Sequence, residues 1–90
     1  MDARAIIGWN LRQLRVAKGL SQERLALAAG IDRAYVGRVE RGSENVTIST
    51  LEAIAKVLSV PLAVLLTEPV EGAAVPSPLR AGRRSKNPPG

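Results

Sequence analysis

The sequence predicts an all-α bundle of five short helices. Three observations carry that expectation. Apolar residues recur at three- and four-residue intervals through residues 3–66, no segment alternates with period two, and a capping residue or a glycine stands at almost every break.

The elements follow in chain order. Ile7, Leu11 and Leu14 stripe one face of a first helix, which Gly19 stops. Ser21 is a good N-cap for a second helix that carries Leu25, Ala26 and Ala29 and ends at Gly30. Its capping box is incomplete, because Arg24 stands where a Glu or Gln would reach back. Asp32 is placed to cap a third helix, with Val36 and Val39 on its inner side and Gly42 at its end. The loop GSENV leads to a fourth helix holding Leu51, Ile54, Ala55 and Leu58, with Thr47 as its expected cap. Pro61 opens a short fifth helix with Leu62, Leu65 and Leu66.

At Pro69 the texture changes. The last 22 residues hold five of the six prolines and three glycines, too little apolar material for a core. Residues 1–68 are therefore expected to be the folded domain and residues 69–90 a disordered basic tail. The whole chain has 13 Lys and Arg against 8 Asp and Glu, a net charge of +5. The domain contributes +2 of that, and the tail, with Arg80, Arg83, Arg84 and Lys86 against Glu71, contributes +3. A basic balance points to an anionic partner. The tail alone implies no more than a solubilising or non-specific DNA-tracking extension.

Composition also removes whole classes of chemistry. With no cysteine and no histidine, the chain has no disulfide, no Cys/His zinc site, no thiol nucleophile and no Ser-His-Asp triad. No phosphate-binding glycine loop is present, so no catalytic residue, cofactor, metal or small-molecule substrate is expected. Arg4, Trp9, Asn10, Arg12 and Arg15 interrupt any signal-peptide core, and the apolar run from Val60 to Leu66 is far short of the roughly 20 residues of a membrane span. The expectation is a cytoplasmic, nucleoid-associated protein with no membrane partner.

The third helix has an unusual outer face. At 100° per residue, Val36 and Val39 fall on one side, Ala34, Gly37, Arg38 and Arg41 on the other, with Arg33 and Tyr35 on the flanks. Gly37 costs a helix interior up to about 1 kcal/mol relative to alanine. Close approach of the backbone to another surface is the compensation to look for, with arginines on either side to reach base edges and phosphates. Upstream, Ala26 must be small where two helices cross, and Gly30 supplies a left-handed turn. Gln22, Ala26, Gly30, Val36 and Val39 together fit the helix-turn-helix pattern over about residues 21–41.

Through LRQLRVAKGLSQERLALAAGI, YVGRVERG and TLEAIAKVLSV, residues 7–66 resemble the Cro/lambda-repressor-like (XRE-type) helix-turn-helix family, and especially its small restriction–modification controller regulators. Val46 departs from a proline frequent in the loop before the fourth helix, and the tail lies outside the family domain. The resemblance implies the five-helix lambda-repressor-like DNA-binding domain, a homodimer on double-stranded DNA, and insertion of the third helix into the major groove. It implies base reading by Arg33, Ala34 and Arg38, and backbone contacts from Gln22, Tyr35, Arg41, Ser43 and Asn45.

Glu40 falls beside Val36 on the inner side, where a lone carboxylate would be costly, and Arg15 at the edge of the first helix's stripe is the obvious partner. The resemblance implies the same structural ion pair. Trp9 sits opposite the Ile7/Leu11/Leu14 stripe, as an exposed aromatic or a contact to a partner. With Leu62, Leu65 and Leu66, it completes the candidates for a dimer interface. The leading expectation is a sequence-specific transcriptional regulator. The alternative is an antitoxin or adaptor whose main partner is another protein, which the Trp9 surface and the tail would favour.

Overall fold

The computed structural model describes residues 1–70, and the tail expected over 69–90 lies outside them apart from Pro69 and Val70. Each helix begins where a short polar side chain or a proline stops the preceding turn. Helix α1 (Ala3–Ala17) starts where the Asp2 carboxylate accepts the Ala5 N–H at 2.9 Å. Helix α2 (Gln22–Ala29) starts at Ser21, whose Oγ accepts the Arg24 N–H at 3.0 Å. It ends at Gly30, left-handed at φ 74°, which lets the Ile31 N–H return to the Ala26 carbonyl. Helix α4 (Ile48–Leu58) is capped by Thr47 Oγ1, which accepts the Thr50 N–H at 3.1 Å.

Two caps differ from expectation. Asp32 has the extended backbone of an N-cap to helix α3 (Arg33–Glu40), yet its side chain accepts no hydrogen bond there. Pro61 is the residue before helix α5 (Leu62–Leu65) instead of its first residue, and α5 is a single turn. The described residues form helices, turns and bends, with no strand.

The apolar stripes converge on one core. Leu11, Leu25, Val36, Ile54, Leu58 and Leu65 are all fully buried, and Ile7, Ala26, Val39, Leu51 and Ala55 complete the cluster. Helix α2 packs on α3 and α4, α1 packs on α3 and α5, and α4 closes against α5. Leu65 must therefore be withdrawn from the surface candidates: it is 0% exposed inside its own chain. A one-turn helix cannot repay its own nucleation and is held by its neighbours. Leu65 is the residue it buries, worth about 1.5–3 kcal/mol.

The crossing of α1 and α3 depends on Gly8. A Cβ built there would meet the backbone carbonyl oxygens of Val39 and Glu40, the latter at 2.8 Å. No side chain fits, so the two backbones meet directly. That contact sets how α3 is presented.

Candidate nucleic-acid interface

Helix α3 is clamped on its inner face and open on its outer one. Val36 and Val39 are buried against α1 and α2, whereas Arg33, Ala34 and Arg38 are exposed along the other side. Arg41, Ser43 and Asn45 continue that exposed surface into the following loop. Tyr35 is half-buried on the flank, packed against the core and lining a shallow depression with Leu27, Ile31 and Thr50.

Gly37 is not on the open face. It is buried, and a Cβ there would lie 3.3 Å from Arg41 Nη1 and 3.8 Å from Gln22 Oε1. The surface that comes close to this glycine belongs to the protein: the Gln22 side chain of α2 and the Arg41 side chain fold across it.

Beneath the interface runs a polar network linking α1, α2 and α3. Arg15 Nε donates to Glu40 Oε2 at 2.6 Å and Nη2 to Oε1 at 3.1 Å, a bidentate ion pair with side chains 9% and 5% exposed. Arg15 Nη1 also donates to the Leu20 carbonyl at 2.8 Å, tying down the turn between α1 and α2. Gln22 Nε2 donates to Glu40 Oε1 at 2.9 Å. One amide hydrogen of Gln22 is thus spent inside the protein, and its second N–H is what the side chain can offer an anion.

The loop after α3 is built as carefully as the helix. Gly42, at φ 74°, turns the chain back over Ala5. The Ser43 N–H and Oγ both donate to the Arg38 carbonyl, at 3.0 and 3.2 Å. Arg38 Nε donates to Glu44 Oε1 at 2.7 Å, and its guanidinium lies 5.7 Å from the Tyr35 ring centroid. Arg4 Nη1 donates to Asn45 Oδ1 at 3.2 Å, bringing a cation from the start of α1 to the same edge.

Arg4 and Glu44 were missed by the sequence reading. The one trace of Arg4 is a cation in a helix's first turn, where the dipole disfavours it. Glu44 shows only an acid six residues beyond an arginine.

Elsewhere, between α1 and the residues around α5, Trp9 is half-buried in a groove with Asn10, Gln13, Val64, Thr67, Glu68, Pro69 and Val70. Leu62 is half-buried in the core margin, while Leu66 is 46% and Val70 79% exposed. Trp9 is therefore neither isolated nor alone on its face, because the chain beyond α5 folds back beside it. Among the described residues, no helix is long and apolar enough to cross a membrane. No group of three or more acidic residues is placed to hold a metal there either.

The pattern of the family described as "Helix-turn-helix" matches residues 11–65, more than half of the chain. The chain belongs to the helix-turn-helix family. Within it, this helix-turn-helix protein is 46% identical over 67 residues to the control protein C.SmaI of Serratia marcescens, covering 74% of this chain and 80% of that one. It is equally 46% identical over 70 residues to a hypothetical transcription factor of Neisseria meningitidis, covering 78% of this chain and 66% of the relative. Among solved structures, the restriction–modification controller protein C.AhdI from Aeromonas hydrophila superposes with a TM-score of 0.67 at 47% identity, over 69% of this chain and 94% of that one. The controller resemblance read from the sequence is thereby shown, as is the five-helix fold. By their names these relatives are a transcription factor and control proteins, two of the kinds of regulator found in the family.

Proposed function

We propose that this protein is a sequence-specific regulator of transcription that binds double-stranded DNA as a homodimer, with α3 in the major groove. The observation that carries the reading is the division of α3. Its inner face is fully used by Val36 and Val39, and Gly37 is covered by the Gln22 and Arg41 side chains, so the outer row of Arg33, Ala34 and Arg38 is left to meet a partner. A helix with a small residue between two arginines can lie deep in a groove while the guanidiniums reach base edges. An arginine donating twice to guanine discriminates by about 1–3 kcal/mol. Tyr35, Arg41, Ser43, Asn45 and the second N–H of Gln22 lie around that row and fit contacts to phosphate, which fix register without reading sequence.

The folded region is only weakly basic. Net +2 over residues 1–68 favours recognition by base contacts over bulk attraction, with the basic tail adding a salt-sensitive contribution. No catalytic step, cofactor or small-molecule substrate belongs to this reading. The site of action is where the DNA is, the cytoplasm and its nucleoid. The exposed Leu66 and the Trp9 groove fit the contact between two copies. The same groove would serve the alternative, an antitoxin or adaptor for another protein, which stoichiometric co-purification of such a partner would reveal.

The test is selection from a randomised duplex pool at near-physiological salt. Two-fold symmetric half-sites containing guanine, lost on Arg38→Ala, are the expected outcome. Weak binding without a motif, vanishing as salt rises, would leave only counterion release and refute the reading.

A further inference from the structure

We propose that Glu44 is a positioning residue for base recognition, which aims Arg38 and so sets specificity at one base pair. The inference rests on the reading of α3 as the DNA-reading helix and adds a residue to it.

An acid at this place looks counterproductive. Glu44 lies beside the exposed arginines, where its charge would repel phosphate and weaken every DNA complex. Its geometry gives it another use. Arginine has five N–H donors, one on Nε and two on each terminal nitrogen. Glu44 takes the Nε hydrogen, at 2.7 Å, and among the described residues no acceptor takes Nη1 or Nη2. The contact therefore engages the Nε edge of the guanidinium and leaves the terminal N–H groups, the pair that can meet guanine O6 and N7, without an acceptor among the described residues.

Two more contacts support the arrangement. The Arg38 guanidinium carbon lies 5.7 Å from the Tyr35 ring centroid, within cation–π range, which favours keeping the charge on that side of the helix. Both Ser43 donors grip the Arg38 carbonyl, so Glu44 is anchored to the turn of helix that carries the arginine it holds. The side chain of Arg38 is 45% exposed and that of Glu44 25%, so the pair adds little to folding stability. Its effect is on conformation: an arginine already held at Nε loses less rotamer freedom on binding.

The consequence is a trade. Glu44 lowers affinity for DNA of any sequence and raises discrimination at the base pair Arg38 meets. The experiment uses the full chain and the half-site recovered by selection. Affinity is measured for that duplex, for duplexes with each guanine-containing base pair of the half-site replaced in turn, and for a random duplex. This is done for wild type, Glu44→Gln, Glu44→Ala and Arg38→Ala, with thermal melts to verify folding. A bidentate arginine contact is worth about 5- to 150-fold between right and wrong base. Glu44→Ala is expected to cut that ratio by about three- to tenfold at the base pair Arg38 meets, and at no other, while binding random DNA more tightly. Glu44→Gln, which keeps an acceptor for Nε, is expected to retain part of the discrimination.

An unchanged ratio in Glu44→Ala overturns the positioning role and leaves the regulator standing. So does an unchanged ratio in Arg38→Ala, because Arg38 is then not the reader. A wild-type protein that enriches no motif overturns both readings together.

Discussion

Glu40 accepts three hydrogen bonds from side chains of two other helices, with its own side chain only 5% exposed. Removing it leaves Arg15 buried without its counter-charge and Gln22 without its acceptor. Glu40→Ala is expected to lower the unfolding free energy by about 3–5 kcal/mol, read as a shifted urea midpoint, and a wild-type midpoint would contradict the buried pair. Both residues were legible in the sequence because each charge stands at the edge of an apolar stripe. Gly8 was not legible. A glycine within a helical pattern signals a cost in propensity, but nothing local says that another backbone crosses there. Since the atoms above it are the carbonyls of Val39 and Glu40, which cannot swing aside, Gly8→Ala should destabilise by about 1–3 kcal/mol. Gly37→Ala is the control. Its nearest neighbour is the mobile end of Arg41, so helix propensity should win and stability rise by up to about 1 kcal/mol. A calorimetric melt of the two variants tests the opposite signs.

Among the elements, α5 is the one least able to stand by itself. Four residues cannot repay helix nucleation, so its stability is borrowed from its neighbours. Leu65 supplies the apolar share, and Asn10 of α1 supplies the polar share by donating Nδ2 to the carbonyls of Leu65 and Thr67 at 3.0 and 2.8 Å. Asn10→Ala removes both bonds and should cost about 1–3 kcal/mol. Hydrogen exchange is expected to show the amides of α5 opening well before those of α4, and uniform protection would mean that Asn10 is dispensable. The starts of α2 and α4 were readable because Ser and Thr caps act within three residues. The same rule placed Asp32 at the start of α3, but not its side chain, which takes no part in the cap. Contacts such as Asn10 with Thr67, or Arg4 with Asn45, join residues more than forty positions apart. They follow from how the helices pack and have no local signature.

At the scale of the molecule, the exposed face of α3 and the Trp9 groove are built from different parts of the chain. The first lies on α3 and its loop, the second between α1 and the residues around α5. The two share no residue, so a contact that pairs two copies through the second uses none of the exposed residues of α3. An isologous dimer of this kind would set two α3 helices against successive major grooves, about 34 Å apart on one side of the duplex. Leu66, 46% exposed beside the buried Leu65, is the place to test it, because a charge there meets solvent in a monomer and its own copy in a dimer. Leu66→Glu should leave the thermal melt of the isolated fold nearly unchanged. In sedimentation at micromolar concentration it should shift the protein from dimer to monomer. Binding to a duplex with two half-sites should then weaken and lose its cooperativity, while affinity for a single half-site should stay close to wild type. A variant that remains dimeric would move the interface off this surface. A wild-type protein that is monomeric both free and on DNA would remove the dimer altogether, and the symmetry expected of its operator with it.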